Sequence, residues 1–254
     1  MRIFREIEVW GTVLLLDIAS PNHSESELDE AVAEVTTFVH QVDRIFSPFK
    51  EDSEVCRIRS GELSLDYAHG DLREVWQLCL DIKSLTYGAF DPWKIPGGFD
   101  PSGIVKGWAA DKCADIILAH NIPHLLINAS GDITVRGGEL IDGKTKPWTL
   151  GVTDPDNKEN VVTTFSIANG AIATSGDYEK GAHITDPFTG LIAIGARSVT
   201  IVGPSGAYAD ALATAVMVSG MDGAPWFDHT ALGEYEVFAI NRHNRISWRY
   251  CATR

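Results

Sequence analysis

The chain has 254 residues, 44% hydrophobic and 22% charged, with a net charge of −14 at pH 7. That composition excludes a disordered or collagen-like chain, and the length suits one large domain, here expected to span residues 1–254. Thirty-five acidic residues against 21 basic ones argue against sequence-independent nucleic-acid binding, which depends on neutralising phosphates, and against anionic membrane surfaces. An anionic ligand must therefore be met locally, by a metal, a few cations or backbone N–H groups. The four cysteines, Cys56, Cys79, Cys113 and Cys251, form no C-x-x-C pair, so neither a zinc ribbon nor a disulfide scaffold is expected. Met1 to Gly11 mixes Arg2, Arg5, Glu6 and Glu8 with apolar residues instead of forming a signal-type apolar run, and no stretch reaches membrane-span length. The expectation is a cytoplasmic protein without a membrane span.

In chain order, Glu6 to Ile18 is rich in β-branched residues and predicts one strand, bent at Gly11. Ser24 and Glu27 have capping-box spacing, and Leu28, Ala31, Val35, Phe38, Val42 and Ile45 recur at helical intervals behind them. Asp71 and Glu74 open a second helix with Val75, Leu78, Cys79, Ile82 and Leu85 inward. A third is predicted from Ser102 to His120, with Val105, Trp108, Ala109, Cys113, Ile116 and Ile117 on one face, stopped by Asn121 and Pro123. Strands are predicted at His124–Ala129, Ile133–Arg136, Trp148–Val152, Val161–Ile167 and Ser198–Val202, followed by an alanine-rich helix from Tyr208 to Ser219. Glu236–Ile240 and Arg245–Tyr250 close the chain as a hairpin turning at Asn241–Asn244. Helices early and strands late suit an α+β fold better than a repeating β-α-β wind.

Three stretches carry candidate chemistry. Gly97-Gly98-Phe99-Asp100-Pro101-Ser102-Gly103 opens a helix whose free N–H groups could hold an anion, with Lys106 one turn inside. The spacing is neither a Walker A loop nor a dinucleotide fingerprint. Alone, it suits a capped helix with an exposed lysine better. Asp210 and Thr214 stand four apart among alanines, so a helix puts both oxygens on one face, a hard donor pair suited to Mg²⁺. The plain alternative is an N-cap aspartate and a back-bonded helix threonine. Ala173-Thr174-Ser175-Gly176 offers small hydroxyls for phosphate oxygens, and His183 precedes the turn Asp186-Pro187-Phe188-Thr189-Gly190, where a histidine could act as a base.

Together these stretches are more specific than any one of them. Their order resembles the FAD:protein FMN transferases of the ApbE family. The shared blocks are Gly11-Thr12; Ser47-Pro48-Phe49 with Ser53-Glu54-Val55; Gly88-Ala89-Phe90-Asp91-Pro92; Asp100 to Gly107 with Asp111; Asn128 with Gly131-Asp132; Ala173 to Gly176; His183-Ile184 with Asp186-Pro187 and Thr189-Gly190; and Ala209 to Thr214. The resemblance implies a compact α+β, T-fold-like domain with mixed or antiparallel sheets and flanking helices. It implies a Mg²⁺-dependent enzyme that transfers FMN from FAD to a Ser or Thr hydroxyl of an acceptor flavoprotein, releasing AMP. By position it implies a metal set of Asp210, Thr214 and the Gly103 carbonyl. Ala89, Phe90, Asp91, Asp100, Lys106, Thr174 and Ile184 become FAD contacts, with Trp10 and Phe49 lining the flavin. His183 becomes the base and stands with Asp210 as catalytic. The same site could instead hydrolyse FAD to FMN and AMP, or bind FAD without chemistry.

The sequence departs from the family pattern in three places. Only Trp93 to Phe99 separates Pro92 from Asp100 where relatives usually carry a long insertion. Ser130 stands where a glycine is usual, which costs stability if that position needs positive φ. The start of the chain shows no lipidation cysteine, unlike the exported relatives.

Overall fold

A computed structural model of the chain describes residues 1–176 and 184–252. The stretch expected as one bent strand is two: β1 (Arg2–Val9) and β2 (Thr12–Ala19) pair antiparallel with Val9 opposite Thr12. Trp10 and Gly11 between them both have positive φ, 56° and 69°, the backbone of a tight primed turn whose twist matches the strands it joins. The reversal is masked in the sequence because apolar and β-branched residues continue on both sides of it.

Helix α1 (Glu25–Phe46) begins at the expected capping box, with Ser24 N–H donating to the Glu27 carboxylate at 2.7 Å and Glu27 N–H donating to Ser24 Oγ at 3.4 Å. Its buried face is the expected one, with Phe38 only half-buried. A short helix not expected from the sequence, α2 (Glu54–Arg59), follows, capped by Ser53 Oγ. Then come α3 (Gly70–Leu85) and α4 (Ser102–Ala119), where α4 departs from expectation: it is buried almost all round rather than on one face, and Ile116 is only half-buried.

The strands that follow are β3 (His124–Ala129), β4 (Asp132–Arg136), β5 (Glu139–Ile141), β6 (Lys144–Lys146), β7 (Trp148–Thr153), β8 (Val161–Ile167), β9 (Gly170–Gly176) and β10 (Ser198–Gly203). Helix α5 (Gly206–Ser219), β11 (Glu236–Ile240) and β12 (Ser247–Cys251) close the chain. The final hairpin turns over a longer loop than expected: Asn241 N–H donates to the Ile246 carbonyl at 3.0 Å, and Arg245 belongs to the turn rather than to the strand. Strand β9, missed in the sequence, is buried along its first half, where it is built from Gly, Ala and Ile, so no alternation of polar and apolar residues marks it.

The strands form an eight-stranded antiparallel sheet in the order β1-β2-β3-β4-β9-β10-β11-β12, with β5–β6 and β7–β8 as separate hairpins. Among the described residues no barrel closes, and the architecture is the expected α+β class. On one face α4 lies against β3 and β4, α5 lies against β9 and β10, and α1 packs on both α4 and β1. On the opposite face Trp148, Leu150 and Phe165 of the β7–β8 hairpin pack on Val135 and Ile172 of the large sheet. Among the described residues no helix is long and apolar enough to cross a membrane.

Two local devices hold the helical layer. The first is the crossing of α4 and α5, made backbone to backbone at glycines. A Cβ on Gly107 would fall on the Gly206 carbonyl oxygen, and one on Gly206 would lie 2.7 Å from the Gly107 carbonyl oxygen. The second is the short connection between Pro92 and Asp100. Asp100 N–H donates to the Pro92 carbonyl at 2.8 Å, closing the loop. Trp93 and Phe99 then pack on Trp76 of α3 with ring centroids 5.0 Å and 4.5 Å away, an arrangement worth more than its buried area alone.

Gly107→Ala is therefore expected to destabilise the protein by about 3 kcal/mol or to prevent folding, because two backbones must separate. Gly70→Ala is the control: a Cβ there meets nothing within 4 Å, and denaturant unfolding should show a change within about 0.5 kcal/mol.

Candidate active site

The α4–α5 crossing carries a set of polar groups to the end of the sheet where β4 begins. Gly103 lies one helical turn before Gly107; Asp210 and Thr214 lie one and two turns after Gly206. Asp210 is 3% exposed and sits inside α5, whose N-cap is Ser205, so the N-cap alternative for Asp210 does not hold. Its Oδ2 accepts from Gly107 N–H at 3.3 Å, the N–H that a regular helix would aim at the Gly103 carbonyl. Gly103 is itself non-helical, with φ −83° and ψ 15°. A Cβ on Gly103 would lie 3.1 Å from Thr214 Oγ1 and 3.3 Å from the buried Phe90 ring. Among the described residues, neither Asp210 Oδ1 nor Thr214 Oγ1 takes part in a hydrogen bond, so the back-bonded threonine alternative also fails.

Lys106 completes the cluster. Its ammonium is hydrogen-bonded to the Asp132 carboxylate at the start of β4 and lies 3.6 Å from Asp210 Oδ2. Burial draws the ammonium towards its neutral form, but the charges of Asp132 and Asp210 outweigh that and raise its pKa above the ordinary 10.5. Lys106 keeps 28% of its side chain exposed, enough to meet a ligand from solvent.

Asp111 locks the second helix in place. Its Oδ2 accepts from Ser205 Oγ at 2.9 Å, Gly206 N–H at 2.7 Å and Ala207 N–H at 3.3 Å, so α4 caps α5 with a carboxylate. Its Oδ1 accepts from Thr134 Oγ1 at 2.9 Å. Burial pushes the Asp111 pKa above the ordinary 3.8 in spite of those donors. The sequence offered Asp111 and Asp132 only as members of family blocks; that each bridges two elements becomes visible once the elements are packed.

The other expected site residues are placed as follows. Asp100 accepts from Ser102 N–H at 3.0 Å and pairs with Arg59 at 3.1 Å. Arg59, unnoticed in the sequence, also donates to the Phe99 carbonyl at 2.7 Å, tying α2 to the loop before α4. Ala89 and Phe90 are buried, and buried Asp91 pairs with Lys83 at 2.8 Å. Thr174 Oγ1 bonds Thr200 Oγ1 at 2.9 Å across the β9–β10 pair. Ile184 is half-buried against the main core, and its carbonyl accepts from Ala193 N–H at 2.8 Å. Asp186 to Gly190 forms the expected turn, with Phe188 N–H donating to Asp186 Oδ1 at 2.8 Å. Trp10 is half-buried, and its indole N–H is buried without a partner among the described residues. Phe49 is 93% exposed on the loop after α1. His183 lies outside the described residues.

Among the described residues no group of three or more His, Cys, Asp and Glu side chains could hold a metal ion. The available donors at the α4–α5 crossing are one carboxylate, one hydroxyl and one backbone carbonyl, oxygen ligands suited to a hard cation that keeps several of its waters.

A family profile described as "ApbE family" matches residues 96–238, more than half of the chain. The chain belongs to the ApbE family. A protein of Escherichia coli K12 named FAD:protein FMN transferase is 33% identical over 135 residues, covering 49% of this chain and 38% of the relative. A Treponema pallidum protein of the same name is 33% identical over 138 residues, covering 48% and 38%. The matched segment thus spans little more than a third of these curated relatives. The fold is shared with the structure entitled "Flavin Transferase ApbE from Vibrio cholerae" at TM-score 0.85 and 22% identity, covering 100% of this chain and 97% of that one. It is shared equally with the ApbE protein of Thermotoga maritima at TM-score 0.84 and 24% identity, covering 98% and 97%.

Ser130, at the position where the resemblance leads to the expectation of glycine, adopts positive φ, 57°, with Gly131 at 99° beside it in the β3–β4 turn. The left-handed conformation costs a non-glycine residue about 1–2 kcal/mol, partly offset by the extra freedom glycine has when unfolded. Ser130→Gly should therefore stabilise the ApbE-family chain by about 0.5 kcal/mol, read as a shift in urea midpoint at unchanged slope.

Proposed function

We propose that the chain, acting as one domain, is a Mg²⁺-dependent FAD:protein FMN transferase. It moves the FMN half of FAD to a Ser or Thr hydroxyl of an acceptor flavoprotein and releases AMP. The observation that carries this reading is the convergence of Gly103, Asp210 and Thr214 beside Lys106, with two oxygens left without hydrogen bonds among the described residues. The names of the curated relatives support the same reading.

The chemistry suits these residues. The acceptor oxygen forms a new bond to the FMN phosphorus, and the bond from that phosphorus to the bridging oxygen breaks, so that AMP leaves with the oxygen. Mg²⁺ held by the Asp210 carboxylate, the Thr214 hydroxyl and the Gly103 carbonyl would neutralise charge on the pyrophosphate oxygens. Lys106 places a cation where phosphate charge accumulates, fixed before the substrate arrives. His183 takes the hydroxyl proton as the attack proceeds. Trp10, Phe49, Phe90 and Ile184 supply apolar surface for the isoalloxazine ring, and Ala89, Asp91, Asp100 and Thr174 complete the contacts to FAD. A cytoplasmic acceptor domain, or the cytoplasmic face of a membrane protein, completes the reading.

The test is to incubate the purified protein with FAD, Mg²⁺ and a peptide carrying a Ser/Thr flavinylation motif, following AMP and peptide mass together. A Mg²⁺-dependent gain of FMN mass is expected. Asp210→Ala should abolish it, as should EDTA, while circular dichroism stays that of the folded protein. His183→Ala should slow transfer by roughly 10²–10⁴-fold. AMP and free FMN beside an unmodified peptide would make the enzyme a pyrophosphatase; FAD bound but intact would make it a binding module. AMP release undiminished in Asp210→Ala would remove Asp210 from the metal set.

A further inference from the structure

Beyond the metal donors, the site contains a third buried charge with no role assigned to it. We infer that Asp132 is a positioning residue that sets the affinity of the Asp210 site for a divalent cation by holding the Lys106 ammonium away from Asp210; this rests on the metal reading above.

Lys106, Asp132 and Asp210 come from α4, β4 and α5, and their side chains meet at one point. A lysine placed between two carboxylates has a choice of partner. Here it is hydrogen-bonded to Asp132 and stays at 3.6 Å from Asp210 Oδ2, beyond hydrogen-bond reach. Asp132 is itself fixed: it is 2% exposed and follows the Ser130-Gly131 turn, which Asn128 Oδ1 closes by accepting Gly131 N–H at 2.8 Å. The ammonium therefore sits on a rigid strand end, and Asp210 Oδ1 keeps its lone pairs.

Charge leads to the same conclusion. Lys106, Asp132 and Asp210 together contribute one net negative charge, which favours a divalent cation. Without Asp132 the remaining two cancel and, among the described residues, the lysine has only Asp210 to pair with, so it competes with the cation for the same oxygens. Without Lys106 the cluster gains negative charge and the cation binds more tightly. Charges this close in a partly buried site interact by several RT.

Mn²⁺ is the probe, its binding to the full chain without FAD followed by the electron-paramagnetic signal of the free ion, with thermal melting recorded in parallel. Asp132→Asn should weaken Mn²⁺ binding by about tenfold or more. Lys106→Gln should tighten it several-fold, and the double variant K106Q/D132N, which restores one net negative charge, should return to within about threefold of the wild type. Asp132→Asn binding Mn²⁺ like the wild type, with or without a lower melting temperature, would reduce Asp132 to a structural residue and overturn the inference. If Asp132→Asn does not fold, Lys106→Gln decides: unchanged or weaker Mn²⁺ binding overturns the inference equally. A wild-type protein that binds no Mn²⁺ would remove the metal reading as well, so the two failures are told apart without any measurement of turnover.

Discussion

The glycine-to-glycine crossing of α4 and α5 is the constraint on which the rest of the site depends. Gly107 and Gly206 bring two backbones into contact, and that contact fixes the register of both helices along and around their axes. Gly103, one turn back on α4, then faces Thr214, two turns forward on α5. The hydrogen bonds around the crossing run both ways: Gly107 N–H of α4 donates to Asp210 of α5, while Asp111 of α4 accepts the first N–H groups of α5. Buried alanines at 207, 209, 211, 213 and 215 let α5 lie close against the sheet and α4 at once. A bulkier residue at either glycine would push the two backbones apart and carry Gly103 away from Thr214, so this polar cluster depends on its packing residues.

On the proposed function, a chain with net charge −14 must handle a doubly anionic pyrophosphate. The long-range field opposes such a ligand, so attraction must come from the last few ångströms. Lys106 supplies a fixed cation there, and Asp210 with its neighbours offers oxygens to a second one. The balance is narrow. An ammonium too close to Asp210 would exclude a divalent ion; one too far away would leave the phosphate without its partner. A second carboxylate anchoring the lysine is the simplest arrangement that satisfies both, and Asp132 is placed to do it.

Much of the helical layer was legible in the sequence because its signals are local. The Ser24–Glu27 box marks the start of α1 without any knowledge of its neighbours, and the three-four spacing from Leu28 onward names the buried face. What was not legible depends on packing. Helix α4 is buried almost all round, so its one-face reading failed. Strand β9 is covered along its first half and built of small residues, so no period marks it. The Trp10–Gly11 turn lacks the usual Asn or Asp. At the site, Asp210 and Thr214 could be singled out because their spacing lies within one helix, family order named Gly103 and Lys106, and the structure brings the four together. The roles of Asp132, Asp111 and Arg59 were not found because each joins elements far apart in the chain: Lys106 with β4, α4 with α5, α2 with the loop before α4.

The short connection between Pro92 and Asp100 holds the start of α4 with few residues. Trp93 and Phe99 wedge against Trp76, the loop closes on the Pro92 carbonyl, and Arg59 ties Phe99 and Asp100 to α2. Gly103 and Lys106 follow immediately on α4, so the aromatic staple is what fixes the donors at the start of that helix. The start of α4 is thus anchored by seven loop residues, Trp93 to Phe99.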